Sequence, residues 1–108
     1  MNSQIEQLLA QVQKPGRYAG GELNSVVKPL DEVEIRYAFC FPDLYEVGMS
    51  HLGMKILYSL LNNMDGVWCE RVFAPDTDME QLMRERHIDL FGLGSRDSIR
   101  NFDFIGFT

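Results

Sequence analysis

Cysteine is scarce in this sequence. Its 108 residues hold only Cys40 and Cys69, too few for a disulfide framework. With no C-x-x-C and no H-x-x-x-H pair, the addition of His51 and His87 does not produce zinc-ligand spacing either. Both cysteines fall inside predicted strands, where the expectation is a buried, inert thiol in a reducing cytoplasm. Basic charge is also short: 10 Lys and Arg face 16 Asp and Glu, for a formal net charge of −6. A broad nucleic-acid surface needs clustered cations to displace phosphate counterions, and an anionic lipid surface needs the same, so neither partner is expected. No apolar run approaches the roughly 20 residues of a membrane span. The opening MNSQIEQLLAQVQ has no positive n-region and no long apolar h-region, so no secretory signal is expected. G-x-G-x-x-G and the phosphate loop G-x-x-x-x-G-K-S/T are both missing, which removes the nucleotide fingerprints.

What is present is patterned. Ser3 and Glu6 form S-x-x-E, a capping box. Ile5, Leu8, Leu9 and Val12 follow at i, i+3, i+4 and i+7, predicting an amphipathic helix that K-P-G at 14–16 stops. Its apolar stripe must pack on this domain or on a partner. Residues 17–30 read as turns, with one short strand at 25–28. DEVEIRYAFCFP alternates at Val33, Ile35 and Tyr37 and becomes continuously apolar over 38–41, the pattern of a strand entering a sheet covered on both faces. Pro42 ends it. Ser50 is the expected N-cap of the next helix, whose apolar positions Leu52, Ile56, Leu57, Leu60, Leu61 and Met64 recur at helical period. VWCERVFAP, residues 67–75, is a second strand. Thr77 and Glu80 make a second capping box, for a short helix that carries Met79, Leu82 and Met83 to about His87. IDLFGLGS reads as an edge strand, SIRNF as a helical turn and FDFIGFT as the last strand.

Strands alternating with amphipathic helices imply parallel pairing and right-handed crossovers, with the first strand between the second and the last. The expected fold is α/β: a small Rossmann-like three-layer domain with a mostly parallel sheet of three or four strands, incomplete at its C-terminal end. Residues 1–30 form a helix and turn-rich lead-in, and 31–108 the domain itself. Thr108 comes directly after an apolar strand. The expectation is that the chain is part of a longer protein, or that it forms a homodimer through the exposed sheet edge.

In open parallel sheets ligands settle outside the carboxyl ends of the strands. The loop 42–53 lies there, so Pro42, Asp43, Tyr45, Gly48, Ser50, His51 and Gly53 are the candidate cofactor- or substrate-binding residues. Gly48 and Gly53 let backbone come close to a ligand or to the sheet. His51, at a helix N-terminus that disfavours the imidazolium, is the best placed for a polar contact. The plainer alternative is that the loop only turns a strand into a helix. Asp43 and Glu46 are candidate paired carboxylates. Arg71 and Arg96 lie near strand ends and suit an anion or those acids, with solvated salt bridges as the ordinary alternative. Tyr45, Trp68 and Phe73 read as core residues and His87 as surface. No catalytic residue and no metal ligand stands out.

Four stretches carry a resemblance: KPGRYAGGELNSVVK, AFCFPDLYEVGMSHLGMKILYSLLN, VWCERVFAPDTDMEQLMRE and LFGLGSRDSIRNFDFIGFT. Together they resemble the N-terminal region of a family of bacterial radical S-adenosylmethionine iron–sulfur proteins of poorly defined function. The similarity runs from about Lys14 over nearly the whole chain, and YEVGMSHLGMKILY is its most specific part. The resemblance implies a cobalamin-binding-like Rossmann domain followed by a radical SAM barrel with C-x-x-x-C-x-x-C. That triplet is absent here, so a 4Fe–4S cluster and S-adenosylmethionine are expected only in a downstream domain. The chain is then an accessory domain without catalysis of its own, and the barrel is its expected partner. The cobalamin lower-ligand signature D-x-H-x-x-G is not matched around His51: residue 49 is Met, and Gly53 comes one position early. Cobalamin binding therefore carries no protein ligand to cobalt. Two functions follow as expectations. In one, the domain positions a cofactor or substrate through the loop 42–53. In the other, it is a non-catalytic interaction or dimerisation module.

Overall fold

The computed structural model describes residues 3–14, 16–20, 25–49 and 51–107. Helix α1 spans Ser3–Leu9, and a short α2 spans Gly16–Ala19. A 3-10 turn at Leu30–Glu32, entered from Pro29, leads into strand β1, Ile35–Phe41. Helices α3, Tyr45–Met49, and α4, Leu52–Asn62, precede β2, Val67–Phe73. Helix α5 covers Thr77–Glu85, a second 3-10 turn covers Ile99–Asn101, and β3 is Phe104–Phe107. No helix among the described residues is long and apolar enough to cross a membrane.

The three strands form an open sheet in the order β2-β1-β3, parallel throughout. Tyr37 is the β1 partner of both Cys69 in β2 and Phe104 in β3. This is the small Rossmann-like α/β fold that the alternation of strand and helix predicts, with the first strand at the centre. Two expected strands are not formed. Residues 25–28 have no strand structure. Instead the Val26 N–H donates to the Tyr58 hydroxyl (2.8 Å) and the Val26 carbonyl accepts from the Trp68 indole (3.0 Å). The segment IDLFGLGS makes an isolated antiparallel bridge, Phe91 to Ser98, and a backbone bond to the sheet, from Leu93 N–H to the Arg71 carbonyl (3.0 Å). The segment passes close over Glu70: a Cβ at Gly92 would collide with the Glu70 carboxylate, and one at Gly94 would press on Trp68 and Glu70.

Side chains alternate between the two faces of the sheet. One face carries Tyr37, Phe39, Cys69 and Phe73 and packs with Ile5, Leu8, Val12, Tyr18, Met54, Tyr58, Met79 and Met83 in the larger core cluster. The apolar stripe of α1 thus packs on this domain. The other face carries Ala38, Cys40 and Val72 beneath Phe102 and the half-buried Ile99.

Helix α4 is turned away from the expected orientation. Its buried residues are Met54, Tyr58 and Asn62, while Leu52, Ile56, Leu57, Leu60 and Met64 are exposed. The polar anchors decide the rotation. The Asn62 amide accepts from Cys69 N–H (2.8 Å) and donates to the Cys69 carbonyl (3.0 Å), and the Arg71 guanidinium lies 4.0 Å over the Tyr58 ring. The expected N-cap, Ser50, lies outside the described residues. His51 caps α4 instead, its side chain accepting from Met54 N–H. Helix α1 begins at Ser3 as expected, but that side chain also lies outside what is described. At α5 the cap is Asp76 rather than Thr77, and the helix stops short of His87, whose φ of 55° is left-handed.

Candidate functional site

Phe41 and Phe73 end two neighbouring parallel strands, and the loop after β1 is built on them. The Asp43 carbonyl accepts from Ala74 N–H (2.9 Å), which ties the two strand ends together beyond the ladder. Helix α3 lies against Phe73: Tyr45 meets that ring edge-on at 5.6 Å, and a Cβ at Gly48 would collide with it. The His51 ring sits 5.3 Å from the Phe41 ring. Its Nδ1 accepts from Met54 N–H (3.1 Å). Gly53 lies next to the same ring, where an added Cβ would come within 3.1 Å of Cε1.

The structure therefore brings Tyr45, Gly48, His51 and Gly53 together around two phenylalanines, with Asp43 acting through its backbone. Pro42 is exposed at the turn, and Ser50 is outside the described residues. Four cavities open elsewhere on the molecule, and among the described residues of the loop 42–53 Met49 alone lines one of them.

Asp43 and Glu46 do not act as a pair. Asp43 Oδ1 accepts from the adjacent Leu44 N–H (2.7 Å), whereas Glu46 Oε1 accepts from Arg17 Nε (2.8 Å). Arg17 Nη1 reaches Asp76 Oδ2 at 2.7 Å, and the Asp76 N–H donates to the Tyr18 hydroxyl (3.0 Å). Helix α2 thus latches α3 to the start of α5 across the strand ends. The Arg17 hydrogen bonds hold the carboxyls of Glu46 and Asp76 below their ordinary values, so neither is a proton donor at neutral pH.

The most deeply held charge escapes sequence reasoning. The Glu70 side chain has no exposed surface. It accepts from Arg36 Nη2 (2.9 Å), from Ser95 N–H (2.8 Å) and from the Ser95 hydroxyl (2.8 Å). Arg36 Nη2 also lies 3.0 Å from Asp97 Oδ2, and its guanidinium is sandwiched by Trp68 (5.3 Å) and Phe102 (4.6 Å). A Cβ at Gly92 would collide with the Glu70 carboxylate, which explains the glycine in LFGLGSRD. The signal was available: an acid inside the apolar strand VWCERVF must be paired if it is buried. Arg71 and Arg96 are not solvated; both are buried, and Arg96 Nη1 lies 3.4 Å from Glu6 Oε1.

Both cysteines are free and buried. By strand alternation they point to opposite faces of the sheet, and so share no site. Burial raises the Cys40 thiol and pushes Cys69 up to about 12, far from a thiolate nucleophile or ligand. The arrangement braces strand ends and buries an ion-pair network; among the described residues it brings no nucleophile to a base.

No curated protein and no solved structure is significantly similar to the chain. A family model described as "Radical SAM proteins, N-terminal" matches residues 53–108, just over half of the chain, from α4 through β3. On that match, the chain belongs to the family of N-terminal regions of radical SAM proteins.

Proposed function

We propose that this chain is the accessory N-terminal module of a radical SAM protein and that it works by docking the bare side of its sheet onto the radical SAM domain. The observation that carries this reading is the contrast between the two sheet edges. The outer edge of β2 is closed group by group. Lys28 Nζ donates to the Val67 carbonyl (2.6 Å), Asn62 bonds both backbone groups of Cys69, and Leu93 donates to Arg71. Natural sheets guard an edge in this way against unwanted pairing.

The edge of β3 is left open. Among the described residues that strand pairs with β1 alone, and Phe104, Ile105 and Phe107 are 56%, 46% and 74% exposed. Beside it, Leu57 and Leu60 of α4 and Met64 just beyond the helix line a groove of about 390 Å³ over Tyr37 and Phe39. An open strand edge continuous with an apolar groove suits a partner that adds backbone pairing and covers apolar surface together. The family match supports that domain as the occupant.

Radical SAM chemistry uses a 4Fe–4S cluster held by three thiolates. Two buried thiols on opposite sheet faces do not fit that cluster, so no catalytic step is assigned to this chain. His51 is not assigned as a cobalt ligand, because the sequence around it departs from D-x-H-x-x-G, with Met49 two residues before it and Gly53 one position early. The loop 42–53 acts in this reading as a brace. The free thiols support a reducing, cytoplasmic setting.

Leu60 is 58% exposed and Leu90 40% exposed, so aspartate at either position leaves the fold intact. Leu60→Asp is expected to abolish association with the radical SAM domain of such a protein supplied as a separate chain, while Leu90→Asp, outside the patch, preserves it. Equal association of both variants would reject the reading. So would a stable homodimer of the 108-residue chain that Leu60→Asp dissociates, because the face would then belong to a second copy.

A further inference from the structure

The groove beside β3 has a wall and a floor of different kinds. The wall is Leu57 and Leu60 of α4 with Met64 just beyond the helix, and all three are exposed. Their spacing is i, i+3 and i+7, so they share one side of the helix. The core-facing side is a different one and carries Met54, Tyr58 and Asn62. The floor is aromatic. Tyr37 and Phe39 of β1 form it, and the Tyr37 ring stacks on Phe104 with 6.4 Å between centroids. A Cβ at Gly106 would collide with the Tyr37 hydroxyl. Gly106 thus lets the Tyr37 side chain reach across to β3, and the floor runs from β1 over β3 without a step.

Height decides which kind of element fills this groove. A strand added to the open edge of β3 lies in the plane of the sheet, about 4.8 Å farther out. A helix with its side chains is about 10–12 Å across, so Leu57 and Leu60 stand well above that plane. An added strand leaves them in water. A helix laid on Tyr37 and Phe39 alongside α4 covers floor and wall at once. Side chains at i, i+3 and i+7 are also the ones that interlock with a second helix, ridge into groove, and apolar grooves take amphipathic helices through that same spacing.

We propose that the radical SAM domain docks here through an amphipathic α-helix, which lies alongside α4 on Tyr37 and Phe39 and sets its own apolar side chains between Leu57, Leu60 and Met64. The inference rests on the docking of the β3 side onto that domain and specifies the element that makes the contact. Backbone pairing at β3 and side-chain packing in the groove are then the work of different elements of one partner.

The test is site-specific photo-crosslinking in a whole radical SAM protein that carries this region at its N-terminus. Leu57→p-benzoylphenylalanine and Met64→p-benzoylphenylalanine place an apolar probe at exposed apolar positions, so the fold is kept. The two probes stand about 10 Å apart along the helix axis. Their attachment sites in the radical SAM domain are mapped by mass spectrometry of the peptides. The sites are expected to differ by about seven residues, the number that a helix needs to cover that distance. A difference of about three residues is that of an extended strand, and it overturns the proposal while leaving the docking itself intact. Lys55→p-benzoylphenylalanine, exposed on another side of α4, is expected to give no attachment at those sites, and attachment there as strong as from Leu57 overturns the proposal. So does a lack of attachment from both Leu57 and Met64, in which case the association of the Leu60→Asp variant shows separately whether the docking reading falls with it.

Discussion

Glu70 is the residue whose surroundings leave least freedom. Its carboxylate accepts three hydrogen bonds from Arg36 and Ser95, and its side chain has no exposed surface. Removing one partner of such a pair strands the other charge, whereas replacing both with apolar groups of similar volume does not. Glu70→Ala is expected to lower unfolding stability by about 3–5 kcal/mol, and the double change Arg36→Met with Glu70→Leu by less than the single one. Urea denaturation of the three proteins reads this directly; a Glu70→Ala cost below about 1 kcal/mol, the worth of an exposed pair, would contradict it. The network was only half legible. Arg71 and Arg96 stood out near strand ends, but a sequence does not show which side of a buried strand a charge faces or what covers it. Ser95 and Asp97 reach Arg36 only because 91–98 folds back over β2, a contact between residues far apart in the chain. LFGLGS read as part of an edge strand, and the reason for Gly92 is the volume of the Glu70 side chain.

Among the elements, the small helix α2 shows how a short piece earns its place. Arg17 holds the carboxyls of Glu46 and Asp76 below their ordinary values, so the folded chain binds those protons less readily than the unfolded chain. The latch therefore stabilises the fold above the unfolded carboxylate range of about pH 4. That contribution is lost as pH falls through the depressed folded values. Arg17→Gln is expected to melt at a lower temperature than wild type near neutral pH, and the two melting curves are expected to converge below about pH 4. A constant offset across that range would assign the role of Arg17 to packing instead. The parallel strands and the helix between the first two were readable from periodicity, but the rotation of α4 was not. Its leucines share a helical stripe, and the natural inference turns that stripe inward. The inward stripe is Met54, Tyr58 and Asn62, selected by hydrogen bonds to Cys69 and Val26 that no hydrophobic pattern encodes. Asn62 also closes the outer edge of β2 through its bonds to Cys69. The loop 42–53 was rightly located at the strand ends, where Tyr45, Gly48 and His51 pack against Phe41 and Phe73.

At the scale of the whole molecule, the chain closes one edge of its sheet with Lys28, Asn62 and Leu93 and leaves the other beside a stripe of exposed leucines. The strand order was legible because alternating strands and helices permit few topologies. The asymmetry of the edges was not, since it depends on side chains meeting backbone groups across the fold. Docking of the β3 side onto a radical SAM domain is the central claim, and amide hydrogen exchange tests it most directly. The 108-residue chain alone is compared with a whole radical SAM protein that carries this region at its N-terminus. The account predicts that the amides of β3 and the exposed face of α4 exchange quickly in the isolated chain and are strongly protected in the whole protein, while the closed edge of β2 is unchanged. Equal exchange of β3 and α4 in both proteins would contradict it.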